Sequence, residues 1–234
     1  MIFKQMFDTE SSTLTYLLMD EVSHEGALID PVAGHTDDYI AVMDSLGCKL
    51  KFSLETHVHA DHITASGKLR EMLAIQTGVS ELCGASTADI QLNDNDVLML
   101  GSQEIKVIAT PGHTIGSVSF LCNERLFTGD TLLINGCGRT DFQGGSAAKL
   151  FDSITKRILT LPDETLIYPG HDYNGRRVSS VAQEKITNLR IVGKTKEEFI
   201  ELMNNLNLAK PKLIDVAVPA NRMCGILEEN LPQG

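Results

Sequence analysis

The run His57-Val58-His59-Ala60-Asp61-His62 constrains this chain more than any other stretch. Imidazoles and a carboxylate crowd together in a globular protein where a cation or a full set of polar partners offsets the cost of desolvating them. Two more histidines, His113 and His171, each follow a Pro-Gly pair, and Pro-Gly marks a turn. Asp130 follows the apolar strand end Leu126-Phe127-Thr128-Gly129, where a cation would offset the burial of its charge. The candidate metal ligands are therefore His57, His59, Asp61, His62, His113, Asp130 and His171. Imidazole and carboxylate donors without a thiolate suit Zn, Fe(II) or Mn. The set is large enough for a dinuclear site bridged by Asp130. Two histidines with one carboxylate would instead make the facial triad of a non-haem Fe(II) oxygenase. Counting ligands does not choose between hydrolysis and oxygenation.

The runs around these residues read as alternating strands and helices. Strands are expected at Thr13–Met19, Ala27–Ile29 and Leu50–Leu54, and again at Val97–Leu100, Glu104–Ala109, Ser117–Leu121, Arg125–Phe127 and Thr165–Tyr168. Helices are expected at Asp37–Leu46 with Gly47 as its stop, and at Lys68–Gln76 with a stop near Gly78. Further helices are expected at Ala147–Leu159, Ser180–Leu189 and Lys196–Asn204, the last with Thr195 and Glu198 at capping-box spacing. The histidine run then sits in a strand-to-helix loop. The pattern supports an α/β fold of two sheets with helices outside, in one domain spanning 1–234, with 180–234 as a helical and loop extension.

Composition narrows the function classes. At 234 residues one core is the default. The net charge of −11 argues against a nucleic-acid groove or an anionic membrane surface, both of which need a broad basic face. No apolar run is long enough to cross a bilayer. Met1 to Asp8 resembles neither a signal peptide nor an Arg-rich presequence, so a cytoplasmic location is expected, or the mitochondrial matrix if a presequence has been removed. The cysteines, 48, 83, 122, 137 and 224, are widely spaced without a Cys-x-x-Cys pair, which fits a reducing compartment. Cys137 is read as a packing residue.

Thr56-His57-Val58-His59-Ala60-Asp61-His62, Pro111-Gly112-His113-Thr114, Gly129-Asp130-Thr131 and Pro169-Gly170-His171 resemble, in order, the metal motifs of the metallo-β-lactamase superfamily. That resemblance implies an αββα sandwich of two mixed β-sheets with helices on the outer faces. Ile63-Thr64-Ala65-Ser66-Gly67, Leu132 through Gln143 with its Gly136-Cys137-Gly138-Arg139-Thr140-Asp141-Phe142 core, and His171-Asp172-Tyr173 are similar to the persulfide dioxygenase, or sulfur dioxygenase, branch. Asn205–Leu208 and Asp215–Asn221 add to the likeness.

The branch implies one Fe(II) per chain on His57, His113 and Asp130, with His59, Asp61, His62 and His171 as supporting groups or the remnant of a second metal site. It implies glutathione persulfide and O2 as substrates and sulfite as product. Arg139, Arg222 and Tyr173 are the expected substrate contacts, since a guanidinium fork matches a carboxylate and a phenol donates to sulfur. Tyr173 and His171 are the expected catalytic side chains. By the same resemblance a homodimer and a separate sulfurtransferase in the pathway are expected. Two rivals stand beside this reading. A glyoxalase II type hydroxyacylglutathione hydrolase would use a dinuclear site, with zinc or mixed metals. A metal-binding module without turnover would use none of the chemistry.

Overall fold

The computed structural model describes residues 1–226; residues 227–234 of the expected C-terminal extension lie outside the described residues. The chain forms two compact units. The first contains Met1–Leu92, Met99–Glu104 and the described residues from Lys210 onward; the second contains Asn93–Leu98 and Ile105–Ala209.

In the first unit, β1 (Ile2–Phe7), β2 (Leu14–Met19), β3 (Glu25–Ile29), β4 (Lys49–Leu54), β5 (Gln76–Ser80) and β6 (Ile90–Leu92) lie side by side in sequence order. The β1–β2 and β2–β3 pairs are antiparallel, while β3 to β6 run parallel. Helices α1 (Thr36–Leu46) and α2 (Ser66–Leu73) connect the parallel strands. Leu17, Leu28, Tyr39, Met43, Leu69 and Ile75 form their shared core. The parallel register sets up the site: Ile29 pairs with Leu54, so the next residue of each strand, Asp30 and Glu55, leaves the same edge of the sheet.

The second sheet has the order β12-β11-β10-β9-β8-β7. Its strands are β7 (Val97–Leu100), β8 (Gln103–Ala109), β9 (Val118–Cys122), β10 (Arg125–Gly129), β11 (Leu166–Pro169) and β12 (Ser179–Ser180). Here β10 and β11 are the parallel pair, with Phe127 opposite Tyr168 and Gly129 opposite Pro169. Asp130 and the Gly170-His171 turn therefore emerge together. Ser146 caps α3 (Ala147–Ser153), which continues as a wide π turn over Ile154–Ile158. Leu150, Ile154 and Ile158 recur at helical spacing and pack with α4 (Val181–Thr187) and α5 (Lys196–Asn204) through Val181, Phe199 and Met203. α6 (Ile214–Arg222), in the first unit, is the last helix among the described residues.

The two mixed sheets with helices agree with the fold class expected from the sequence, and the predicted Gly47 stop and Thr195–Glu198 capping box are present. Gly78 is a difference. α2 ends at Leu73 with Ala74 in the left-handed conformation, and Gly78 lies inside β5, where a Cβ would fall 2.8 Å from Leu54 Cδ2. The glycine serves a close strand approach rather than a helix stop. No helix among the described residues is long and apolar enough to cross a membrane.

Candidate metal centre

In the first unit the loop after β4 is held by buried acids. Asp30 Oδ1 accepts from the Thr56 amide at 2.7 Å and Oδ2 from the Thr56 hydroxyl at 2.8 Å. Thr56 Oγ1 in turn lies 3.0 Å from His57 Nδ1, so a fixed hydroxyl sets the plane of that imidazole. His59 is fully buried, its Nε2 3.1 Å from Asp30 Oδ1 and 3.5 Å from Glu55 Oε2. Burial alone would lower the His59 pKa, but Asp30, Glu55 and Asp61 outweigh it and hold the imidazole well above its ordinary value. The other oxygen of Glu55 accepts from the hydroxyls of Thr64 and Ser66.

His62 has the opposite character. Burial, with His59 beside it, pushes its pKa down, so the ring is neutral near pH 7. Its Nδ1 lies 3.0 Å from Asp61 Oδ2 and 3.2 Å from Thr13 Oγ1, which places the ring proton on Nδ1. Its Nε2 is then a buried lone pair with no hydrogen-bond partner among the described residues. A neutral imidazole in that state is what a metal takes as a ligand. Ligand atoms of His59, Asp61 and His62 lie within 4.8 Å of one another, as do those of Asp30, Glu55 and His59.

The second unit supplies a carboxylate between two imidazoles. His171 Nδ1 lies 2.6 Å from Asp130 Oδ1, and His113 Nε2 lies 3.7 Å from Asp130 Oδ2. His113 Nδ1 donates to the Arg139 carbonyl at 2.7 Å, leaving the lone pair on Nε2, the nitrogen that faces Asp130. The Asp130 backbone is fixed too, since its carbonyl accepts from the Gly138 amide at 2.7 Å. Gly138 admits no side chain, because a Cβ would fall 2.4 Å from that carbonyl. The loop after Asp130 is anchored on α4: Glu184, itself fully buried, accepts from the Asn135 amide at 3.0 Å, and Asn188 donates to the Gly136 carbonyl at 3.1 Å.

A family model described as "Metallo-beta-lactamase superfamily" matches residues 85–171. A human protein named "Persulfide dioxygenase ETHE1, mitochondrial" is 47% identical over 228 residues, covering 96% of this chain and 89% of that protein. A crystal structure of ETHE1 from Myxococcus xanthus superposes with a TM-score of 0.95 at 54% identity, covering 97% of this chain and all of the other. The chain belongs to the persulfide dioxygenase family of the metallo-β-lactamase superfamily. "Glyoxylase B2" of Dictyostelium discoideum is more distant, at 29% identity over 94% of this chain. The enzyme is thus a dioxygenase with a metal-binding His/Asp site.

In this dioxygenase the expected substrate contacts have unequal standing. The Arg139 guanidinium binds both oxygens of Asp141 at 2.6 Å, donates to the carbonyls of Ala209 (2.6 Å) and Leu208 (3.1 Å), and covers the Phe142 ring at 4.7 Å. Its fork is used within the protein, on the Asp141 carboxylate and two backbone carbonyls, and so braces the 136–143 loop. Tyr173 is 70% exposed, with its ring parallel to that of His171 at 6.0 Å. A phenol so exposed is reachable by a ligand. Arg222 is exposed at the end of α6.

Near Tyr173, the Arg176 guanidinium pairs with the buried Asp172 at 3.0 Å. Cys137 agrees with the packing reading: its thiol is buried against Met203 Sδ, and burial pushes its pKa up to about 12. Asp30, Glu55, Thr13 and Asn221 were absent from the residues singled out for the site. Asp30 carried a usable signal, since it follows the apolar end of β3 as Asp130 follows that of β10.

Proposed function

We propose that the chain oxidises a low-molecular-weight persulfide, glutathione persulfide, with O2 at a single Fe(II) held by His57, His113 and Asp130. The observation that carries this reading is the near-full-length identity to proteins named persulfide dioxygenase. The donor chemistry supports it: two imidazoles and a carboxylate suit Fe(II), and none is a thiolate. Bound Fe(II) with open positions supplies a place where O2 and a soft sulfur anion meet. The balanced reaction is RSSH + O2 + H2O giving RSH, sulfite and two protons.

The rest of the work falls to this chain's own groups. Thr56 orients the His57 ring, the Arg139 carbonyl fixes the His113 tautomer, and His171 holds one oxygen of Asp130. His59 already faces Asp30 and Glu55, which supports a supporting role for it over that of a second-metal ligand. The Tyr173 hydroxyl and the Arg222 guanidinium are assigned to the substrate, the first at the sulfur end and the second at a glutathione carboxylate. This reading treats 1–234 as one catalytic domain.

Anaerobic purification with metal analysis, followed by oxygen uptake and sulfite measurement on glutathione persulfide, tests the proposal. About one iron per chain with sulfite formation is expected. A dinuclear zinc protein that hydrolyses a glutathione thioester and takes up no oxygen would overturn it in favour of the hydrolase; the unpartnered His62 Nε2 is the atom such a second metal would take. Arg222→Ala should raise KM for glutathione persulfide by about tenfold, the loss of one charge-assisted contact, and leave kcat within about twofold. Steady-state oxygen uptake reads both constants, and a fall confined to kcat would place Arg222 at the chemistry instead.

A further inference from the structure

The segment from Asp215 to Asn221 resembles the family without an assigned task. The structure gives its last residue one. Asn221 is 4% exposed, and its side-chain amide is spent on the histidine loop. Nδ2 donates to the carbonyls of His59 at 2.9 Å and His62 at 2.8 Å, and Oδ1 accepts from the Thr64 amide at 2.9 Å. A carboxamide has this inventory of donors and acceptor; an aspartate of the same shape has no donor.

The neighbouring residues seat the amide. Gly67 N donates to the Cys224 carbonyl at 2.7 Å. Gly225, at φ +84°, approaches so closely that a Cβ would fall 2.1 Å from the Thr64 carbonyl oxygen. Val58 of the loop shares a small apolar cluster with Cys224 and Val218. The stretch His57–His62 lies in no strand or helix, so no backbone ladder fixes the path of its carbonyls. Asn221 supplies the missing partners from more than 150 residues away in sequence.

We propose that Asn221 is a positioning residue of the metal centre: its carboxamide fixes the backbone that follows His57 and so the direction of the imidazoles. The assignment rests on the reading that His57 binds Fe(II). Its test titrates Fe(II), and separately Zn(II), into the metal-free full-length protein, and measures kcat and KM for glutathione persulfide alongside the thermal midpoint. Asn221→Asp keeps the volume and removes the donors; Asn221→Ser is the milder variant should the first fail to fold. Val216→Gly is the control, since it loosens the same helix at an exposed position outside the Val58 cluster.

Both Asn221 variants are expected to bind metal at least about tenfold more weakly than wild type, the effect typical of removing a group that orients a ligand. Val216→Gly is expected to keep wild-type metal affinity even where its thermal midpoint falls as far. Equal metal affinity in wild type and the Asn221 variants, or an equal loss in Val216→Gly, overturns the assignment. A wild-type protein that binds Zn(II) but neither binds Fe(II) nor consumes oxygen sinks the dioxygenase reading alone, because the Zn(II) titration still reads the clamp. A wild-type protein that binds neither metal sinks both.

Discussion

His113→Ala is expected to purify without iron and to show no persulfide-dependent oxygen uptake, whereas His171→Ala keeps most of its metal. Both residues follow a Pro-Gly turn and both flank Asp130, so sequence alone treats them alike. Their hydrogen bonds separate them. His113 spends Nδ1 on the Arg139 carbonyl and turns Nε2 toward Asp130 Oδ2 at 3.7 Å, a separation that suits two atoms sharing a cation better than a hydrogen bond. His171 spends Nδ1 on Asp130 Oδ1 at 2.6 Å, a charge-assisted bond that orients the carboxylate. Removing a group of that kind costs about 10- to 100-fold in affinity or activity, while removing a ligand costs the site. Iron per chain after anaerobic purification, with oxygen uptake on glutathione persulfide, reads both variants. Equal loss of iron in the two would require a different ligand set.

The candidate donor types, their order and the strand-to-loop setting of the histidine run were legible because they are local. Apolar strand ends followed by imidazole or carboxylate can be seen without knowing which strands pair. What was hidden depends on pairing. Asp30 and Glu55 become neighbours because β3 and β4 run parallel with Ile29 opposite Leu54, a register that no single strand announces. The tie from Arg139 to the carbonyls of Leu208 and Ala209 spans about 70 residues, so the brace it makes in the fold does not show in the sequence around it. α6 escaped the sequence reading for a local reason. Pro219 sits inside it, and an interior proline argues against a helix unless packing compensates. Here Ala217, Ala220 and Asn221 are buried, and the amide bonds of Asn221 add to that packing.

Gly112→Ala is expected to be the most damaging of the small substitutions near the site. In sequence Gly112 is half of a Pro-Gly turn signal. Its φ of +143° lies where side chains are rarely accommodated, and a Cβ would fall 2.3 Å from both Cα and N of Leu150. Those are backbone atoms of α3, and Leu150 itself is fully buried, so no flexible side chain can swing away. The turn is also tied to that helix directly: the Gly112 carbonyl accepts from the Ser146 amide at 2.8 Å, and the Pro111 carbonyl from the Ser153 hydroxyl at 2.7 Å. Relieving the clash therefore means moving α3, or moving the turn that carries His113. A loss above about 4 kcal/mol is expected, in the range reserved for overpacking and backbone strain together. For a chain of this size that lowers the thermal midpoint by about 10 °C or more. Gly136→Ala is the matched control, since no atom lies within 4 Å of its Cβ position. Differential scanning calorimetry of the two variants, with iron per chain measured in parallel, separates the causes. A Gly112→Ala protein as stable as Gly136→Ala but lacking iron would show that the turn yields while α3 stays, making the glycine a determinant of where His113 points; wild-type values of both would refute the clash.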